Sequence, residues 1–295
     1  MISRRSRWSA LVGAAGLGSA ALVPVLLAGP AHAEGSMAHA EVVGAGGKHY
    51  QLNYFSGSGL HQQLKLSVEK SADQATFVYT LDDTAQILTG DHCSYPDNAD
   101  LTRVTCVLDN TLGDSSSAND PIGQVSLADG NDAVTFTNHT DVQFTHIHLG
   151  GGNNSYTTGQ SAAQDADVDS DDGTDTITAG TGASVSSGGG RDILTFTGGA
   201  AQAWAGDGND EIQGGPGDDR LDGGAGDDII YGNDGDDHIT GAQGNDMLYG
   251  GRQNDTMYGN SGDDVIYGNS GDDYISGGPG EDTLSGGTGT NTVIP

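Results

Sequence analysis

The sequence predicts an all-β chain in which a small, disulfide-linked β module precedes an array of short repeats. Three observations carry that expectation. Glycine supplies 50 of the 295 residues, and Asp outnumbers Glu by 36 to 5; Gly and Asp are poor helix formers and good turn formers. A nine-residue period runs without a slip through the last third of the chain. Upstream of it, short stretches alternate apolar and polar residues at period two, the signature of half-buried strands.

The same composition excludes some partners. With 41 acidic against 10 basic side chains, the formal net charge is -31. Such a chain is repelled by nucleic acid and by anionic lipid. The partner it implies is positively charged, and a divalent cation is the simplest one. Apolar residues make up 34%, below the roughly 45–50% of an ordinary globular domain.

Residues 1–33 read as an export signal. Arg4, Arg5 and Arg7 form a basic start, Trp8 to Leu27 an apolar stretch, and Ala31-His32-Ala33 a small-residue cleavage site. Arg4-Arg5 after Ser3 also resembles a twin-arginine signal. The alternative is a membrane anchor; Pro24 and several glycines weaken the stretch for that purpose. After cleavage no membrane span is expected, and the protein is expected to be secreted and extracellular. An exported protein meets an oxidising environment, so Cys93 and Cys106 are expected to form a disulfide. A reactive or metal-bound thiol pair is the alternative, but the spacing fits neither a zinc pattern nor C-x-x-C.

Residues 34–125 are expected to form the small β-sandwich-like module. Its strands are read from Gln62–Val68, Ala75–Thr80 and Arg103–Leu108, where alternation combines with β-branched and aromatic residues.

From Ala205 to Ile294 ten nine-residue units follow one another, among them GGPGDDRLD, GGAGDDIIY and GNSGDDVIY. The first and second places are mostly Gly, and the fourth is Gly in every unit but the sixth, where Gln253 stands. The sixth place is Asp in nine units: Asp210, Asp219, Asp228, Asp237, Asp246, Asp255, Asp264, Asp273 and Asp282; the tenth has Asn291. The eighth place is always apolar, from Ile212 to Val293. Each unit therefore predicts a six-residue turn and a three-residue strand whose middle side chain points inward, with places seven and nine facing out.

This pattern, G-G-x-G-x-D-x-U-x, resembles the RTX (haemolysin-type) calcium-binding nonapeptide repeat. The resemblance implies a right-handed parallel β-roll with two units per coil and calcium held between stacked turns on each edge, by the nine aspartates just named. Ten units would then hold about eight ions, with weaker levels at Gln253 and Asn291. The chemistry agrees: calcium is a hard cation that takes six to eight oxygen ligands, carboxylates and main-chain carbonyls among them. The array has no Cys and a single His, His238, which disfavours softer metals. One buried side chain per nine residues cannot alone offset the conformational entropy of ordering the array, so folding is expected to be coupled to calcium binding.

Residues 126–204 carry traces of the same unit. Ser187–Thr195 (SGGGRDILT) lies in phase, with Asp192 as a further, weaker metal ligand, and Gly173–Ile177 and Gly130–Val134 are half units. The segment is read as a degenerate continuation of the solenoid; a flexible linker is the alternative. An EF-hand over Asp167, Asp169 and Asp171 fails, because Asp172 stands where Gly is required and Thr178 where the closing Glu belongs. His146 and His148 fall on one strand face, where two ligands alone make no metal site.

The function expected is that of a secreted, non-enzymatic calcium-binding protein. Export signal, cysteine-bridged β segment and repeats together are similar to secreted actinobacterial calcium-binding proteins. The module at 34–125 is read as an attachment to cell-wall or matrix glycan, with calcium buffering as another role. The alternative function is a secreted hydrolase with the repeats as an accessory domain. The sequence has no H-E-x-x-H, and no serine has glycine at both minus two and plus two.

Overall fold

The computed structural model describes residues 37–44, 50–57, 59, 61–71, 76–109, 123–140, 145–159 and 166–295. The export signal expected at 1–33 lies outside them. All the regular structure described is β-strand, arranged in two thirteen-stranded sheets.

Nine strands set the amino-terminal end: β1 (Met37–Gly44), β2 (Tyr50–Phe55), β3 (Gln63–Lys70), β4 (Thr76–Asp82), β5 (Gln86–Thr89), β6 (Cys93–Ser94), β7 (Arg103–Asp109), β8 (Gly123–Ser126) and β9 (Ala133–Asn138). The stretches of period-two alternation fall in β3, β4 and β7, where every second side chain is buried. One sheet begins β5-β1-β2-β8 and the other β6-β7-β4-β3-β9. Cys93 and Cys106 lie opposite one another on β6 and β7 and form the expected disulfide.

The step from this end into the roll occurs twice, once in each sheet. β2 pairs parallel with β8, and β3 pairs parallel with β9. From there the strands are parallel and alternate between the two sheets, out to Thr283–Ser285 and Thr292–Ile294. The result is a parallel β-solenoid of about nine turns. Residue 125 lies inside β8, and residues from Ser36 onward form one compact unit.

Within the regular array the pairing offset is eighteen residues, so each coil holds two units: Leu221 pairs with Ile239, and Ile230 with Leu248. The eighth-place side chains from Ile212 to Ile275 are fully buried, while Leu284 is partly buried and Val293 is 40% exposed. Val293 lies on Thr292–Ile294, the strand at the edge of its sheet. Many strands are longer than three residues: Arg220–Ala225 and Ile229–Asp234 include places seven to nine and the next three. In these units the first half of the following turn joins the parallel ladder and leaves only places four to six to make the corner.

That corner explains the fourth-place glycine. Gly226 has φ +134°, and a Cβ there would meet the Gly208 carbonyl oxygen of the preceding coil at 1.7 Å. A side chain would both strain the backbone and force the layers apart. Gln253, the one exception in the array, takes φ 77°, in the left-handed region.

Candidate cation-binding edges

The sixth-place aspartates form two columns, one along each edge of the roll. Each Oδ1 accepts the main-chain N–H of the residue one coil earlier. On one edge Asp228, Asp246, Asp264 and Asp282 accept from Asp210, Asp228, Asp246 and Asp264 at 2.8–3.0 Å. On the other, Asp219 accepts from Ala201, and Asp237, Asp255 and Asp273 accept from Asp219, Asp237 and Asp255, at 2.7–3.0 Å. Asn291 closes that column by accepting from Asp273. This structural use of Oδ1 holds consecutive coils in register.

Oδ2 is the atom left over. In Asp210, Asp228, Asp237, Asp246, Asp255, Asp264 and Asp273 it is sealed from solvent and has no hydrogen-bond partner. Asp219 differs, because its Oδ2 accepts the N–H of Gly215 at 2.7 Å. The surroundings of the orphaned atoms are rich in further acceptors. A Cβ added to Gly232 would stand 2.3 Å from Asp237 Oδ2 and 2.5 Å from the Gly250 carbonyl oxygen of the next coil. Only a residue without a side chain leaves that oxygen-lined space open.

The electrostatics point the same way. Burial pushes the carboxyls of Asp228, Asp237 and Asp255 up to about 7, and neighbouring aspartates push in the same direction. Asp246 is raised to about 6, again chiefly by burial. A buried acceptor that faces other acceptors needs either a proton or a cation. The donor set is oxygen alone, which suits a hard divalent ion such as calcium. Among the described residues no three His, Cys, Asp or Glu side chains converge as a metal site, so the remaining ligands of such an ion would be main-chain carbonyls.

Asp192 repeats the arrangement upstream of the regular array. Its Oδ1 accepts the N–H of Asp175, and its Oδ2 is buried without a partner. His146 and His148 do share the outer face of the strand Thr145–His148, and the next coil supplies a partner to both. His146 Nε2 lies 2.7 Å from Asp169 Oδ1, His148 Nδ1 contacts Asp169 Oδ2, and His148 Nε2 is 3.6 Å from Asp171. The hydrogen bond to Asp169 raises the pKa of His146. Asp169 is raised by burial, but the bonds from the two histidines outweigh this and hold it below the usual carboxylate range. This is a surface ion-pair group, set apart from the buried columns.

A parallel β-solenoid edged by buried, unpaired carboxylates defines a class of cation-binding repeat protein. Residues 197–293 match the RTX calcium-binding nonapeptide repeat in four copies, at 197–230, 204–239, 222–257 and 258–293. The carboxy-terminal third of the chain thus carries RTX calcium-binding repeats. Among curated proteins no sequence matches the chain.

Proposed function

We propose that this is a secreted structural protein whose repeat array folds as calcium is taken up along both edges of the roll. Asp210, Asp219, Asp228, Asp237, Asp246, Asp255, Asp264, Asp273 and Asp282 are the side-chain ligands in this reading, with Asp192 a further one and about eight ions in the regular array. The observation that carries it is the row of buried, partnerless Oδ2 atoms repeated coil after coil. Bound calcium supplies the positive charge that these carboxylates need once they are removed from water. The chain's own part is to hold the oxygens in layers: Oδ1 fixes the register, and the glycines keep the inner space open.

The basic start, apolar stretch and Ala31-His32-Ala33 of the first 33 residues support export. The array would then remain unfolded where calcium is scarce and fold outside the cell. Residues 34–125 are proposed as the part that attaches to cell-wall or matrix glycan, with 126–204 and 205–294 as the spacer. Calcium titration of the full, EDTA-stripped chain by calorimetry tests the central reading. Several ions are expected to bind together with a rise in strand signal by circular dichroism; no heat at millimolar calcium would sink it.

A further inference from the structure

The carboxylate column on one edge does not begin where the repeat match begins. It continues upward from Asp210 through Asp192, Asp175, Asn154 and Asp132, each side chain accepting the main-chain N–H of the level above. All four lie upstream of residue 197, the first matched position. Asp175 and Asp192 are completely buried, and the Oδ2 of each has no hydrogen-bond partner. The hydroxyls of Ser170 and Ser187 donate to the carbonyls of Ser187 and Ala205 and also stand beside the Asp175 and Asp192 carboxyls.

Asn154 shows what that second atom faces. Its Oδ1 does the register work of every other level, accepting from Asp132 at 3.0 Å. Its Nδ2 donates to two carbonyls of its own turn, Gly150 at 3.0 Å and Gly152 at 3.1 Å. These are the second and fourth places of the turn Leu149–Asn154. In the same register Asp175 and Asp192 set an acceptor where Asn154 sets a donor. A carboxyl oxygen turned toward carbonyls is held there by a proton or by a cation between them, whereas an amide needs neither.

We propose that the calcium column of this edge extends through Asp192 and Asp175, outside the matched repeats, and stops at Asn154, whose side-chain amide takes the place of an ion. The upstream coils are then of two kinds. The level at 149–157 closes without metal, and the levels at 170–178 and 187–195 require it. Asp132, above Asn154, also buries its Oδ2 without a hydrogen-bond partner, but its carboxyl stands beside Asp83 and His61. The proposal rests on the calcium reading of the array and adds the place where calcium dependence begins.

The test counts ions on the full chain after equilibration with calcium and removal of the excess, by atomic emission. The double variant Asp175→Asn/Asp192→Asn is expected to hold two calcium ions fewer than the wild type, and Asn154→Asp one more. In excess EDTA the double variant is expected to melt at a higher temperature than the wild type, because two buried carboxylates have become amides that satisfy their own turns. Unchanged counts in both variants, or a lower melting temperature of the double variant in EDTA, would overturn the proposal while leaving calcium binding by the regular array intact. A wild-type chain that holds no calcium would overturn the functional reading itself.

Discussion

The two ends of this solenoid are held together differently. At the amino-terminal end, Leu52, Tyr54, Leu64, Leu66, Tyr79, Leu81, Ile87 and Leu108 are all buried between the sheets, each sheet contains antiparallel pairs, and a disulfide ties β6 to β7. In the regular array the eight units from Ala205 to Ser276 each bury an eighth-place apolar side chain and a sixth-place carboxylate. The first region meets the entropy of folding by hydrophobic burial, which works at any calcium concentration. The second adds a charge requirement to a thin core, so in the proposed reading its stability depends on an ion. One pair of sheets therefore passes from a self-sufficient region to a conditional one.

The sharpest way to break this comparison is to remove calcium and follow amide hydrogen exchange. Excess EDTA is expected to abolish protection across 205–294 while β3, β4 and β7 stay protected; uniform loss, or none, would show that the two regions do not differ. Next in size are matched core truncations. Leu81→Ala and Leu248→Ala should each cost about 2–5 kcal/mol, but the loss at Leu248 is expected only in calcium, and that at Leu81 with or without it; thermal melts under both conditions check this. At the corner, Gly244 has φ +128° and a Cβ there would come 2.0 Å from the Gly226 carbonyl oxygen. Gly244→Ala is expected to cost more than about 1 kcal/mol and to lower calcium affinity by calorimetry.

The smallest effect is a pH dependence at the surface group. The folded pKa of His146 is raised above its ordinary 6.5 by the hydrogen bond to Asp169, with burial opposing. Its stabilisation is therefore complete below 6.5 and is lost as pH rises through the folded value. Both side chains are about one-third exposed, which limits the effect to roughly 1 kcal/mol or less. The melting difference between wild type and His146→Ala should shrink as pH is raised from 6 to 8; a difference that grows would contradict the assignment.

What the sequence revealed and what it hid divide along the same line. The array was legible because its period is constant: places six and eight fix which side chains stack, and eighteen-residue pairing follows from two units per coil. The upstream levels were only half legible. Their hydrogen-bonded steps span 22, 21 and 17 residues before settling at 18, so a search at fixed spacing finds Asp192 and passes over Asn154. Their first places also depart from Gly, with Leu149, Ser170 and Ser187. At the amino-terminal end alternation located β3, β4 and β7, but nothing local announces that Leu52 pairs with Gly123. The role of Asp169 was hidden for the same reason: it meets His146 and His148 only because successive coils bring their strands together.

Two units per coil have a consequence for how such a chain can change in length. The outer columns differ between the two sheets: Tyr231, Tyr249 and Tyr267 stack on one, with ring centroids 4.9 and 5.4 Å apart, while Thr240 and Tyr258 take the equivalent places on the other. Duplication or deletion of a whole coil leaves every downstream residue on its own side. A change of one unit transposes the two sides from that point on, parting the tyrosines above the junction from those below it. Lengthening by whole coils thus keeps the aromatic column continuous, and an odd step would appear as a break in it.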